Sequence, residues 1–260
     1  MNHTHPLISS WGIKPILFHL GSFPVSSYSF FVALGILVGA LVYFWEARKL
    51  GQNNEYSLFI AVGALAGAAI GAKLLELLIN IDHVESLNTF IGFLFSGRTI
   101  IGGLIGGTLG SMLTKKLLGI KVRRGNLFAP AIAIGVAIGR FGCFLNGCCY
   151  GKPSRLPWAV NFGDGIFRHP TQIYESLFML AMFIFLKTCY KREDVKPGYL
   201  FKVLMIAYFL FRFLIEYIRV ERVAFWGLTY FQIITVFVLF YLFLEDIRHL
   251  INKLVAYGSK

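Results

Sequence analysis

The sequence predicts an all-α membrane protein: about seven transmembrane helices in one bundle, the N-terminus outside and the C-terminus cytoplasmic. Three observations predict it. The composition is too apolar for water, seven apolar runs have spanning length, and Lys and Arg gather in alternate loops. Of 260 residues, 57% are hydrophobic, 16% aromatic and only 15% charged, with a mean hydropathy of +0.67. A soluble domain carries about 25% charged residues, and a chain this short has too little interior to hide so much apolar side chain. A soluble enzyme is therefore excluded, and so is disorder. The net charge of +12 would suit a nucleic-acid binder by arithmetic alone. Such proteins, however, set their basic residues in a stripe on a polar fold, whereas here they punctuate apolar runs. No nucleic-acid partner is expected.

A membrane-crossing helix needs roughly 20 mainly apolar residues. The runs that qualify are Phe23–Trp45, Tyr56–Ile79, Thr99–Leu118, Leu127–Leu145, Thr171–Tyr190, Gly198–Ile218 and Gly227–Leu244. Phe90–Phe95 is too short to span and reads as a surface-lying or re-entrant segment. The first run starts past residue 20 without a basic n-region, so it does not read as a cleaved signal peptide. Ala61–Ala72 and Gly102–Gly110 are rich in small residues, which let helices approach closely where lipid supplies no hydrophobic drive. The whole chain, 1–260, is expected to form a single polytopic domain without a repeat.

Lys and Arg set the orientation. The loops after runs one, three and five hold Arg48 and Lys49; Lys115, Lys116, Lys121, Arg123 and Arg124; and Lys187, Lys191, Arg192 and Lys196. The C-terminal tail adds Arg248, Lys253 and Lys260. The opposite side has only Lys14, Arg98, Lys152, Arg155, Arg168, Arg219 and Arg222, spread over four segments. Basic cytoplasmic loops beside anionic headgroups account for most of the positive charge.

Charges inside spans are costly and mark sites or buried pairs. Here they are Lys73 with Glu76, Arg140, Glu175, and Arg212 with Glu216. The two pairs stand at i,i+3 and i,i+4, which permits mutual neutralisation. Polar residues concentrate in three clusters, each towards the outer face. The first is Gly139-Arg140-Phe141-Gly142-Cys143-Phe144-Leu145-Asn146-Gly147-Cys148-Cys149-Tyr150-Gly151-Lys152-Pro153. Its glycines allow the backbone to bend and approach a ligand, and its arginine is a planar fork suited to phosphate oxygens. The second is Arg168-His169-Pro170-Thr171-Gln172-Ile173-Tyr174-Glu175, with Pro170 suited to a first helical turn. In the third, Arg212, Glu216 and Arg219 share helical spacing. The chemistry these clusters suggest is binding an anionic lipid headgroup and acting on it.

Cys189 reads as packing. Cys143, Cys148 and Cys149 fall together on the outward side, where disulfides persist. There is no C-x-x-C pair and no second half-site, so neither a metal nor a cofactor is expected. A thiol nucleophile, a redox pair or disulfide, a metal site drawing on His169, and small residues lining a tight turn are the alternatives for this trio.

At these clusters the chain resembles the bacterial prolipoprotein diacylglyceryl transferase family. Gly102-Gly103-Leu104-Ile105-Gly106 resembles the family's H-G-G-L-I-G. Gly139-Arg140-Phe141-Gly142 through Asn146-Gly147, with Tyr150-Gly151 and Leu156-Pro157-Trp158, resembles its G-R-x-G-N-F-x-N-G-E-x-W/Y-G. Arg168 to Glu175 resembles R-H-P-[ST]-Q-L-Y-E, and Phe211 to Arg219, followed by Gln232, resembles F-R-F-x-x-E-F-x-R and its downstream Gln. Tyr28 falls near a functional tyrosine of the first span.

The resemblance implies a multi-pass protein of the bacterial cytoplasmic (inner) membrane. It would move a diacylglyceryl group from phosphatidylglycerol to the lipobox cysteine of a prolipoprotein and release glycerol phosphate. That chemistry needs a base near the thiol and cationic donors on the phosphate. Arg140 and Arg219 match the family's essential arginines, and His169, Glu175 and Cys148 complete the catalytic candidates. Tyr28, Gly142, Cys143, Asn146, Gln172, Tyr174, Arg212, Glu216 and Gln232 are the substrate-binding candidates. Four family positions depart. The proposed catalytic histidine reads Ile101, the signature asparagine Cys143, and the glutamate after Asn-Gly reads Cys148. The acidic residue beyond the last arginine reads Arg222. Several readings stay open: lipidation with His169 or Glu175 as base; the same donor with another acceptor and Cys148 as a covalent way-station; lipid binding without catalysis; and thiol-redox chemistry at Cys148 and Cys149.

Overall fold

A computed structural model of the chain describes residues 13–52, 55–84, 86–88, 90–91, 99–190 and 195–258, with the backbone alone from 245 onward. Seven α-helices stand among the described residues: α1 Ser27–Lys49, α2 Glu55–Ile79, α3 Ile100–Leu117, α4 Gly125–Leu145, α5 Thr171–Tyr190, α6 Tyr199–Ile215 and α7 Tyr230–Gly258. Each overlaps one of the seven apolar runs, in order, and the last continues 14 residues past its run, to Gly258. By length and composition α1, α2, α4 and α5 suffice to cross a membrane, and α7 contributes a shorter apolar stretch, Tyr230–Leu244. Residues 92–95 of the Phe90–Phe95 segment lie outside the described residues, as do Arg98, Lys191, Arg192 and Lys260.

Among the described residues are three antiparallel two-stranded hairpins, and the first and third delay the starts of the expected first and last spans. They are β1 Ile16–Leu20 with β2 Phe23–Ser26, β3 Val160–Asn161 with β4 Phe167–Arg168, and β5 Val223–Phe225 with β6 Leu228–Thr229. The first apolar run thus opens as a strand, and α1 begins at Ser27, where the Ser26 hydroxyl accepts from the Ser29 amide at 3.1 Å. The last run opens in the tight turn Trp226–Gly227, both residues left-handed at φ +50° and +74°, as a two-residue hairpin requires. Helix α7 then starts with a reciprocal cap. The Thr229 hydroxyl accepts from the Gln232 amide at 3.2 Å, and the Gln232 side-chain oxygen accepts from the Thr229 amide at 2.9 Å.

The chain forms two compact units, residues 44–123 and the remainder. In the first, α2 and α3 meet along glycines four apart. A methyl added at Gly67 would strike the Gly106 carbonyl, and one at Gly71 the carbonyl of Gly102. Bare backbone is what allows this approach. In the other unit α1 meets α4 the same way, at Gly35 against Gly135 and Gly39 against Ala131. Helix α5 is tied to α4 by the Ser176 hydroxyl, which donates to the Ala137 carbonyl at 2.7 Å. Tyr208, Phe209, Met179, Leu186, Leu200 and Leu204 are fully buried in it, and the Phe178 and Phe211 rings stack 4.2 Å apart.

Candidate functional site

The site is assembled in the larger unit, where α4 ends. Asn146 caps the helix and Gly147 turns left-handed at φ +70°. The Gly147 amide returns to the Phe144 carbonyl at 3.0 Å and the Cys148 amide to the Cys143 carbonyl at 3.2 Å. This is the glycine-terminated helix end that Asn-Gly favours. Cys149 is also left-handed, at φ +64°, an unusual conformation for a residue with a Cβ. Its carbonyl is held by the Thr171 hydroxyl at 2.7 Å and by Arg219 Nη1 at 3.2 Å, while Gln172 Nε2 donates to the Cys148 carbonyl at 2.5 Å. The Gly151 amide donates to the His169 carbonyl at 2.9 Å, and the Lys152 amide to the Ile218 carbonyl at 2.7 Å. The three polar clusters of the sequence are therefore one stitched structure.

Around this loop lie charges that the protein itself buries. Arg140 Nε stands 2.9 Å from Glu175 Oε2, and the Tyr208 hydroxyl donates to Glu175 Oε1 at 2.9 Å. Arg212 Nη1 meets Glu216 Oε2 at 2.9 Å, with Arg219 Nε 3.8 Å from the same oxygen. Thr229 donates to Glu216 Oε1 at 3.1 Å. Arg219 also meets Glu221 Oε1 through Nη2 at 2.6 Å. Glu221 precedes Arg222, the position at which the resemblance has an acidic residue. Glu175 is wholly buried, and Arg140, Arg212 and Arg219 all act on it electrostatically. Buried charges survive only when paired in this way.

His169 lies on a polar relay. Trp158 Nε1 donates to the Tyr174 hydroxyl at 2.7 Å, and that hydroxyl lies 3.3 Å from His169 Nδ1. A Tyr174 hydroxyl that donates to Nδ1 leaves the His169 proton on Nε2. Nearby, Asp164 is held below the usual carboxylate range: slight burial works against this, but the hydrogen bond from Arg168 and the Ile166 amide prevail.

The remaining candidates divide by position. Tyr28 and Asn146 are half-buried, at the start of α1 and the end of α4. Gly142 is buried where Phe31 of α1 closes over it. Gln232 donates to the Phe213 carbonyl at 3.3 Å besides closing its cap. Ile101 is buried at the start of α3, in the smaller unit. Tyr208 was absent from the sequence expectations. It stands one helical turn before Arg212, and a tyrosine at that spacing from a buried arginine is the signal that could have found it.

The thiols of Cys143, Cys148 and Cys149 lie within 4.8 Å of one another. Cys143 is buried, Cys148 half-buried and Cys149 exposed, and all three are free. The Cys149 thiol is held below its usual range by the neighbouring Cys143 and Cys148 thiols and by the Arg140 and Arg219 charges, against the cost of partial desolvation.

Comparison with known proteins covers most of the chain. The family model described as prolipoprotein diacylglyceryl transferase matches residues 15–244. A phosphatidylglycerol–prolipoprotein diacylglyceryl transferase of Clostridium tetani is 34% identical over 214 residues, 80% of this chain and 86% of that protein. The like-named protein of Finegoldia magna is 30% identical over 223 residues, 85% of this chain and 90% of its own. That of Thermotoga maritima is 30% identical over 217 residues, 79% and 74% of the two chains.

Proposed function

The chain belongs to the prolipoprotein diacylglyceryl transferase family, and from that premise we propose that it transfers the diacylglyceryl group of phosphatidylglycerol to a prolipoprotein cysteine and releases glycerol phosphate. The protein acts as a multi-pass enzyme of the bacterial cytoplasmic membrane. Its seven helices all span, with the N-terminus outside.

One observation carries it: three buried guanidinium groups, Arg140 paired with Glu175 and Arg212 and Arg219 with Glu216, stand beside a loop fixed by α4, α5 and the segment after α6. As the thiol sulfur bonds to the glycerol carbon, the carbon–oxygen bond breaks and its electron pair leaves with glycerol phosphate. Donors already in place stabilise that growing charge without reorganising. Arg140 is oriented by Glu175, which Tyr208 holds in turn, and Arg219 is oriented by Glu221 and the Cys149 carbonyl. These two arginines receive the phosphate. His169, with Nε2–H free of the relay, is a third donor to it. Arg212 and Glu216 position Arg219 and α7.

Glu175, paired with Arg140, serves as a positioning residue. Tyr28, Asn146 and Tyr174 contact the headgroup from the half-buried rim. Cys143 and Gly142 shape the end of α4, Gln172 fixes the loop that Cys148 and Cys149 form, and Gln232 fixes the start of α7.

Purified protein given labelled phosphatidylglycerol and a lipobox peptide should yield diacylglycerol in thioether linkage on the peptide. Arg140→Lys should lower transfer by about 100-fold or more, because the bidentate fork is lost. Glycerol phosphate release without peptide modification would instead establish another acceptor, and no lipid turnover would leave lipid binding alone.

A further inference from the structure

The transfer just described leaves the acceptor thiol without a base. The family's histidine position is Ile101, Glu175 is engaged by Arg140 and Tyr208, and His169 presents a donor. The three thiols at the end of α4 are, by contrast, unaccounted for. Their linear spacing matches no zinc pattern, yet the glycine-terminated helix end and the left-handed Cys149 fold them back onto one another. Three thiolates around one zinc ion, each at about 2.3 Å, stand about 3.8 Å apart. A cluster spanning 4.8 Å needs shifts of only side-chain size to reach that geometry.

The loop is preorganised for such a role. The carbonyls of Cys148 and Cys149 are tied down by Gln172, Thr171 and Arg219, so the backbone that carries the thiols is fixed. Among the described residues no fourth His, Cys, Asp or Glu joins the group. Three protein ligands with a vacant fourth position is the arrangement of catalytic zinc, whereas structural zinc is closed by four. A site of three thiolates and one divalent cation has a net negative charge, and Arg140 and Arg219 act electrostatically on Cys149.

We infer that Cys143, Cys148 and Cys149 bind one zinc ion, whose open fourth position takes the acceptor thiol and makes it a nucleophile. The identity of that acceptor rests on the transferase reading; the metal site does not. On coordination the incoming S–H loses its proton to solvent, as a metal-bound thiol does. The sulfur lone pair then forms the S–C bond, and the C–O electron pair departs with glycerol phosphate. Zinc keeps its oxidation state throughout. The thioether product is neutral and a far poorer ligand than a thiolate, so it leaves. For the same reason a diacylglyceryl group on Cys148 itself would be an endpoint: a second thiol does not displace carbon from a neutral thioether.

The test uses full-length protein purified in detergent under reducing conditions, without chelator. Metal analysis should find about one zinc per chain. After cobalt exchange a sulfur-to-cobalt charge-transfer band should appear, weakened in Cys148→Ser and in Cys149→Ser. A lipobox peptide should shift the ligand-field bands, whereas the same peptide with serine at the acceptor position should not. Chelation should lower transfer by about 100-fold or more, the scale of a lost general base, and added zinc should restore it.

Wild-type protein that binds neither zinc nor cobalt while all three thiols react with a thiol reagent overturns the inference. So does a disulfide that appears as missing thiols until strong reductant is added. Transfer that persists in zinc-free protein sinks the metal role and keeps the transferase reading. A peptide-sensitive cobalt spectrum in protein that never turns over phosphatidylglycerol does the reverse.

Discussion

Glu175 shows how one buried side chain governs others. Its two oxygens are divided between Arg140 and Tyr208, so neither partner can be removed without leaving a charge or donor stranded. Glu175→Gln should destabilise the protein by about 3–5 kcal/mol, the cost of an uncompensated buried ion. Tyr208→Phe should cost less, about 1.5–3 kcal/mol, since only one hydrogen bond to a carboxylate is lost. Denaturant titration of the purified variants in micelles gives both values, and an equal cost would contradict this division. Asp164 is a milder case. Its folded value is lowered, so its bridge to Arg168 stabilises fully above the ordinary aspartate range and weakens as pH falls through the lowered value. Because the Asp164 side chain is 37% exposed, the effect should stay under about 1 kcal/mol. Hydrogen exchange of the β3–β4 hairpin should lose protection below about pH 4 in the wild type, and Asp164→Asn should abolish that pH dependence.

At the scale of elements, helix contact is set by which glycines face bare backbone. Gly106 of α3 lies against Gly67 and Gly71 of α2, with no room for a methyl group. A Cβ at Gly103 would meet the Ala68 carbonyl oxygen at an ordinary 3.7 Å. Gly106→Ala should therefore cost about 1–3 kcal/mol through overpacking. Gly103→Ala should be neutral or gain up to about 1 kcal/mol in helix propensity. Thermal unfolding of the two variants separates the cases, and equal melting temperatures would sink the packing argument. Helix ends obey a different rule. The Thr229–Gln232 cap is legible as Thr-x-x-Gln ahead of an apolar run. The hairpins that precede α1 and α7 were not legible, because hydropathy counts apolar side chains without regard to backbone form. Phe23, Pro24 and Val25 of β2, and Leu228 of β6, are as apolar as the helices that follow.

For the whole molecule, the basic residues of the loop between α3 and α4 predict its side of the membrane. A reporter fused at Ile120 should be active only in a cytoplasmic orientation, and one fused at Ser154 only outside. Replacing Lys115, Lys116, Lys121 and Arg123 by Gln should weaken that bias; reporters insensitive to these changes would remove charge as its cause. The sequence by itself determined the apolar character, the order of seven helices, and the residue types at the candidate site. Apolar excess, run length and motif order are local quantities, and they survive without coordinates. Only the tertiary structure decided which charges pair: Arg140 with Glu175, and Arg219 with Glu221. It alone set the thiols of Cys143, Cys148 and Cys149 within 4.8 Å of one another. Pairing depends on how helix ends turn and where a carbonyl is caught, through contacts such as Arg219 to Cys149, 70 residues apart, and no linear spacing encodes them.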